Sequence, residues 1–264
     1  MRKEIEAARQ KIAEDNPWYT ADQIAGQRLG VYRHIMKGRY DYVVRHLRRL
    51  ETRGYTLDGK TVVDLGCGDG QWSIEIARHF PKAKLIGVDY NELRLERYKH
   101  HVPTAEALFG SCLEVPLEDN SADFLMFHQV LEHIPQPQDA LREVRRILKP
   151  DGRLLLSVPN EGTWLKQKVQ YPFIERKAMK TTDHVNFWTR ETLRRLLRAN
   201  GFRVQQLDAM GFYFPHNGVS RRIVGRKPLY HIALAASHVA PVLRDCLFAW
   251  CRLDEAKTDA STRA

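Results

Sequence analysis

The sequence predicts an α/β fold, a mostly parallel sheet with helices on both faces. Three observations carry this. Residues 61–158 alternate short apolar strands with amphipathic helical stretches, which implies parallel strands joined by crossover helices. At Thr61-Val-Val-Asp-Leu-Gly-Cys-Gly-Asp-Gly70 a β-branched run ends in an acid, and three glycines follow at alternate positions before the pattern turns helical. One β-α-β step later a second short strand, Lys84 to Val88, also ends in an acid, Asp89.

The chain divides at residue 53. Residues 1–53 read as an N-terminal helical cap or lid, ahead of a main domain over 54–264. Glu4 to Asp15 is a polar helix, and Asn16-Pro-Trp-Tyr19 is an aromatic turn. Thr20-Ala-Asp-Gln23 is a capping box, and helix runs on through Leu29, Val31, Tyr32 and Ile35. After Gly38, Tyr40, Tyr42, Val43, Val44, Leu47 and Leu50 give another amphipathic helix. The first reading of these aromatics is packing on the core, and the second is a lid over a site.

In the main domain β1 is 61–65, and a helix over 70–80 presents Trp72, Ile74, Ile76, Ala77 and Phe80. β2 (84–88), a helix over 91–100, β3 (105–109), β4 (123–127), a helix over 137–148 and β5 (152–158) follow. The glycines after β1 let the backbone turn sharply and let a ligand approach. Their spacing, G-x-G-x-G, differs from the dinucleotide pattern G-x-G-x-x-G. Asp64, two residues before the first glycine, is a poor neighbour for phosphate and a good one for a cationic ligand. Asp89 stands where a carboxylate can accept from two ribose hydroxyls. Ligands in such sheets sit beyond the carboxyl ends of the strands, where strand order reverses. Asp64, Asp89, Gly110-Ser111-Cys112 and His128-Gln129 all follow strand ends and converge on one crevice.

Residues 161–188 read as a loop-rich insertion with Trp164, Tyr171, Phe173, Phe187 and Trp188, and connections of that length tend to be functional. Thr189 caps a helix with Leu193, Leu196 and Leu197 on its apolar face, ending at Asn200-Gly201. β6 is 202–207. Residues 219–243 read as helices and 246–252 as β7. The alternative for 219–244 is an interfacial helix pair in peripheral contact with a membrane, because Arg221, Arg222 and Lys227 precede an apolar stretch.

The 264 residues carry a formal charge of +10. The basic residues are spread over helix faces, with one tighter cluster at Arg221, Arg222, Arg226 and Lys227. No nucleic-acid-binding module accompanies them, so nucleic acid is disfavoured as a partner. No apolar run is long enough to span a membrane, and Met1-Arg2-Lys3 opens no signal peptide. The four cysteines have neither zinc spacing nor the look of a disulfide framework, so a cytoplasmic protein without a metal site is expected.

The glycine loop Asp64–Gly70 and Asp89 resemble the first motif and the ribose-binding acid of class I S-adenosylmethionine-dependent methyltransferases. Glu114 to Asp123, Val130-Leu-Glu-His-Ile134, Ala140 to Gly152 and Ser157-Val-Pro-Asn160 are similar to the quinone-biosynthesis type and small-molecule O-methyltransferases, and together the matches span about half of the chain. The resemblance implies a Rossmann-like seven-stranded sheet closed by an antiparallel last strand, β7. It implies S-adenosylmethionine as cofactor and S-adenosylhomocysteine as product. Asp89 then binds the ribose, and Asp64, Gly66, Cys67, Gly68 and Gly70 hold the methionine end. Ser111, Cys112 and Leu113 frame the adenine, and Trp72, Tyr90, His128 and Gln129 complete the site. Ser111 departs from the acid common at its position in the family, although a hydroxyl can also accept from the adenine amino group. The implied acceptor is a small or lipid-like molecule under lids from 1–50, 161–188 and 211–244. O-methylation is the first expectation and N-methylation the second. RNA or protein methylation and a catalytically silent cofactor binder are the rivals, and no Asn-Pro-Pro-Tyr-type motif follows β4.

Methyl transfer to a hydroxyl needs two reactants held at attack distance and a base near pKa 7, which favours histidine. His184, His128 and His133 are the leading candidates, and His216 follows. His79, His100 and His101 lie at helix C-termini, where a capping role suffices.

Overall fold

The computed structural model describes residues 24, 33–174, 184–212, 219, 222–223, 225–237 and 239–254. The helix over 4–15, the turn 16–19, the box 20–23, residues 175–183 of the insertion, His216, Arg221 and His238 lie outside the described residues.

The first long element is α1, Arg33–Glu51. The sequence reading starts a new helix after Gly38, yet α1 runs through it unbroken. Glycine inside a helix costs about 1 kcal/mol, and packing of one apolar face outweighs that. Val43, Leu47 and Leu50 are that face, buried in one core cluster with Trp72, Ile76 and Phe80.

The main domain follows as β1 (Thr61–Leu65), α2 (Gln71–His79), β2 (Lys84–Asp89), α3 (Glu92–His101), β3 (Glu106–Phe109), β4 (Ala122–His128), α4 (Pro137–Ile147), β5 (Leu148–Pro159), α5 (Arg190–Ala199), β6 (Phe202–Met210), α6 (Lys227–Ala236) and β7 (Cys246–Leu253). One seven-stranded sheet has the order β3-β2-β1-β4-β5-β7-β6. β1 pairs in parallel with β2 and β4, and β7 runs antiparallel between β5 and β6. β7 is thus an inner strand, which accounts for the near-continuous burial of Cys246-Leu-Phe-Ala-Trp-Cys251. Strand order reverses between β1 and β4, so a crevice opens at the carboxyl ends of those two strands.

Core residues divide over the two faces of the sheet. Val63, Leu125, Leu154 and Leu156 pack with α4 and α5 on one face. Val62, Phe124, Met126, Leu155, Phe248 and Trp250 pack with α1, α2 and α3 on the other. At the far end of the sheet Asp123 accepts from Lys149 (2.8 Å), Lys60 (3.2 Å) and the amide of Thr61 (2.9 Å). A polar clamp fixes α1 to the sheet. The Tyr42 hydroxyl donates to Asp208 at 2.6 Å and accepts from Trp250 Nε1 at 3.0 Å, and His46 stacks on Trp250 at 3.8 Å.

The insertion after β5 is less irregular than expected, because Leu165–Ile174 forms a π-helical segment. Thr189 caps α5 as expected, in a reciprocal box with Thr192. β6 runs three residues beyond its expected end because β7 pairs with it as far as Met210↔Cys246.

Candidate active site

The glycine loop leaves β1 at the reversal point. Gly66, Gly68 and Gly70 have φ of 70°, 53° and 91°, the left-handed region that favours glycine. The amides of Gly66 and Cys67 both donate to the Val88 carbonyl, at 2.7 and 3.0 Å, so the loop turns back over β2. A Cβ on these glycines would meet protein. It would lie 2.4 Å from Val130 at Gly66, 2.5 Å from Arg94 at Gly68 and 2.8 Å from Tyr98 at Gly70. Close packing and positive φ, rather than ligand approach along the Cβ direction, therefore require glycine here.

Two buried carboxyls flank the loop. Asp64 accepts from the Ser73 hydroxyl at 2.8 Å. Burial pushes its carboxyl up to about 7, the Ser73 bonds oppose that rise, and the charge of Asp89 adds to it. Asp89 accepts from the Gly68 amide through Oδ2 (2.8 Å) and from the Asn91 amide through Oδ1 (2.9 Å). Its carboxyl is also raised, by burial above all. A third acid, Asp69, is buried between Arg94 and Arg97.

Beyond β3, the Ser111 hydroxyl accepts from the Leu113 amide at 3.1 Å, and Ser111 forms an isolated bridge with Glu114. Burial pushes the Cys112 thiol up to about 12 and that of Cys67 well above its ordinary value, so both stay protonated.

The histidines divide into two groups. His128, at the end of β4, is buried, with Nδ1 2.7 Å from the Ser157 hydroxyl. Its ring stacks on Trp72 at 3.9 Å, and Trp72 meets Tyr40 of α1 edge-on at 4.8 Å. Burial, followed by the nearby Arg39 charge, pushes His128 down to about 3. Gln129 follows with φ 54°, rare for a residue with a side chain, and its Nε2 reaches Ser157 Oγ (3.5 Å) and Cys246 Sγ (3.4 Å).

His133 and His184 meet elsewhere, their ring centroids 4.8 Å apart and nearly perpendicular. The turn Leu131–His133 begins next to Val130, the residue against Gly66, so this pair stands one turn from the glycine loop. His184 Nδ1 lies 2.7 Å from Glu161 Oε2. Burial raises the Glu161 carboxyl, but the bond and charge of His184, with Lys166 and the Tyr171 hydroxyl, hold it below its ordinary range. Gly162 allows this approach. Its amide donates to the Trp188 carbonyl (2.8 Å), and a Cβ there would lie 2.7 Å from the Phe187 carbonyl oxygen.

Comparison with known proteins bears on this geometry. A sequence family described as "Methyltransferase domain" matches residues 32–207, well over half of the chain. The chain belongs to the class I S-adenosylmethionine-dependent methyltransferases. A probable S-adenosylmethionine-dependent methyltransferase of Mycolicibacterium smegmatis is 26% identical over 76% of this chain and 65% of its own length. A malonyl-[acyl-carrier protein] O-methyltransferase of Methylococcus capsulatus is 31% identical over 56% of this chain and 54% of its own. The chain thus spans about half to two thirds of the length of these curated relatives. Among solved structures, a putative methyltransferase of Bacillus halodurans shares the fold at a TM-score of 0.58 and 18% identity, covering 78% of this chain and 97% of that one.

The chain's own residues suit the cofactor of this family. S-adenosylmethionine carries a sulfonium charge, and the crevice holds the two buried carboxyls Asp64 and Asp89, whose ionised forms a nearby cation favours. Among the described residues Asp89 accepts one amide on each oxygen, so both keep lone pairs that two ribose hydroxyls could reach. The Ser111 hydroxyl accepts from the Leu113 amide and bonds the Cys112 sulfur, and a lone pair remains that can accept from the adenine amino group.

Sequence reading did not single out Glu161, Glu132, Ser157 or Arg39. Glu132 is visible only as the neighbour of His133. Glu161 carries no local signal, because its partner lies 23 residues on.

Proposed function

We propose that this methyltransferase transfers the cofactor's methyl group to an oxygen of a small or lipid-like acceptor. We further propose that the acceptor proton leaves through the His133–His184 pair. The observation that carries this is the Glu161–His184 bond of 2.7 Å. A carboxylate bonded to one ring nitrogen fixes the tautomer and leaves the other nitrogen basic, the usual arrangement of a general base. S-adenosylmethionine supplies the electrophilic methyl group. Asp89 binds and orients, and the Asp64–Gly70 loop shapes the cationic end of the site. The aromatic stack of Tyr40, Trp72, His128 and Phe248 excludes water. His128 is assigned to that wall rather than to proton transfer, because a group near pKa 3 is a weak base at neutral pH.

A malonyl-[acyl-carrier protein] O-methyltransferase and demethylmenaquinone methyltransferases among the relatives support a small-molecule or lipid-like acceptor. So do exposed apolar residues on the segments assigned to the lid, Trp164, Ile232 and Val239. The segments 1–50, 161–188 and 211–244 are proposed to close over that acceptor, and 219–244 is the part proposed to touch a membrane.

The test is release of S-adenosylhomocysteine with panels of phenols, enols, alcohols and amines. Turnover on an oxygen acceptor is expected. His184→Ala or His133→Ala should then lower the rate by about 10²–10⁴-fold while S-adenosylhomocysteine affinity holds. Full rates in both variants, or turnover on amines alone, contradict the proposal.

A further inference from the structure

Glu132, His133 and His184 each present one ligating atom, and the three atoms lie within 4.8 Å of one another. Two chain segments hold them there. The amides of Val185 and Asn186 both donate to the Glu132 carbonyl, at 2.9 and 3.1 Å. The Asn186 side-chain amide donates to the Ile134 carbonyl at 2.7 Å. His184 is therefore docked on the 131–134 turn by backbone bonds, and its ring is left to be aimed by Glu161. With Nδ1 bonded to Glu161, Nε2 is the nitrogen that His184 can offer as its ligand atom. An imidazole that ligates a metal almost always donates its other N–H to a carboxylate or carbonyl. Glu161 stands in that place.

We propose that Glu132, His133 and His184 bind one divalent first-row transition cation. The proposal rests on the methyl-transfer reading and, where the cation is bound, replaces the histidine base, the acceptor oxygen taking an open position on the cation. Two imidazoles and one carboxylate suit Zn²⁺, Mn²⁺ or Fe²⁺ better than Mg²⁺ or Ca²⁺. Three protein ligands leave positions open, as catalytic sites do and closed structural sites do not. Ligand atoms around such an ion at about 2.1 Å stand about 3.4 Å apart, so side-chain shifts of about an ångström gather the set. Glu132 is 1% exposed, and a cation beside it offsets the cost of burying its carboxylate.

With the acceptor hydroxyl on the cation, the cation would lower the hydroxyl's pKa so that it would enter the reaction already deprotonated, its proton left in bulk solvent. The oxygen's electron pair then forms the bond to the methyl carbon as the carbon–sulfur bond breaks. That bond's electrons remain on sulfur, giving neutral S-adenosylhomocysteine. In this state His184 Nε2 is a ligand. Without the cation the same nitrogen serves as the base. The two states are alternatives at one nitrogen.

The test dialyses the chelator-stripped full chain against Mn²⁺ and, separately, Zn²⁺, and reads bound metal by elemental analysis beside S-adenosylhomocysteine calorimetry. One cation per chain is expected. Glu161→Gln, which removes the carboxylate behind His184 and leaves all three ligands in place, should weaken the cation by about 10–100-fold, and His133→Ala and His184→Ala by more, all three keeping S-adenosylhomocysteine affinity. No saturable uptake at millimolar metal, or uptake unchanged in all three variants, overturns the site. Methyl transfer separates the two readings. A rate indifferent to chelator yet cut by His184→Ala overturns the cation and keeps the histidine base. A rate untouched by both overturns both.

Discussion

Replacing Asp64 with asparagine should stabilise the ligand-free protein at pH 8 and impair cofactor binding. Asp64 is buried, and burial together with Asp89 lifts its carboxyl from 3.8 to about 7 in the folded state. A carboxyl with a raised folded pKa favours folding while it is protonated. Its contribution is intact below about pH 4, the unfolded value, and is lost progressively as pH rises through the folded value near 7. A shift of this size corresponds to a ceiling of about 4 kcal/mol above pH 7, and solvent relaxation around a buried acid brings the expected effect to about 1–3 kcal/mol. Asparagine keeps a carbonyl oxygen for the Ser73 hydroxyl, which now donates at 2.8 Å, so the substitution removes charge with little loss of bonding. The assay is urea unfolding of both proteins from pH 4 to 8.5 without ligand. Asp64→Asn should match the native chain near pH 4, pull ahead between pH 5 and 7, and hold a constant margin above. A variant less stable at pH 8, or a margin that does not change with pH, refutes the reasoning.

Three further outcomes are expected. Asp89→Asn removes the anion from two amide bonds and from the proposed ribose contacts, so calorimetry should find S-adenosylhomocysteine bound about 10–100-fold more weakly, in line with about 1.5–3 kcal/mol for a hydrogen bond to a charged group. Gly66→Ala places a Cβ 2.4 Å from Val130 at φ 70° and should cost about 2–4 kcal/mol in urea unfolding, and adding Val130→Ala should recover the steric part. Strict additivity of the two would show that the clash is not there. Tyr42→Phe strips a donor from Asp208 and an acceptor from Trp250 Nε1, so unfolding should be easier by about 1–3 kcal/mol, with no loss if α1 is only loosely held.

Much of the fold was legible because it depends on local pattern. Val62-Val63 before Asp64, then glycines at alternate positions, specify a strand, a tight loop and a helix within ten residues. β7 was readable as an apolar run, and its antiparallel direction is what the resemblance implied, whereas its place between β5 and β6 emerges only in the structure. Gly38 misled, because propensity suggested an interruption where packing of Val43 and Leu47 carries the helix through. Asp64 and Asp89 were legible as acids at strand ends, a position that topology alone brings to the crevice. The histidines were legible only as a set. What divides His128 from His133 and His184 is environment. One ring lies against Trp72 and Ser157, and the other two meet over Glu132 beside Glu161. These contacts join residues 23 to 56 positions apart, and no local spacing encodes them.

The central claim is methyl transfer from S-adenosylmethionine to a small or lipid-like acceptor. It is tested most directly by incubating the protein with methyl-labelled cofactor and cell extract divided into small-molecule, lipid, RNA and protein fractions. Label in the small-molecule or lipid fraction, abolished by Asp89→Asn, is the predicted result. Label in RNA or protein instead contradicts the account and makes the charge of +10 the better guide to the substrate.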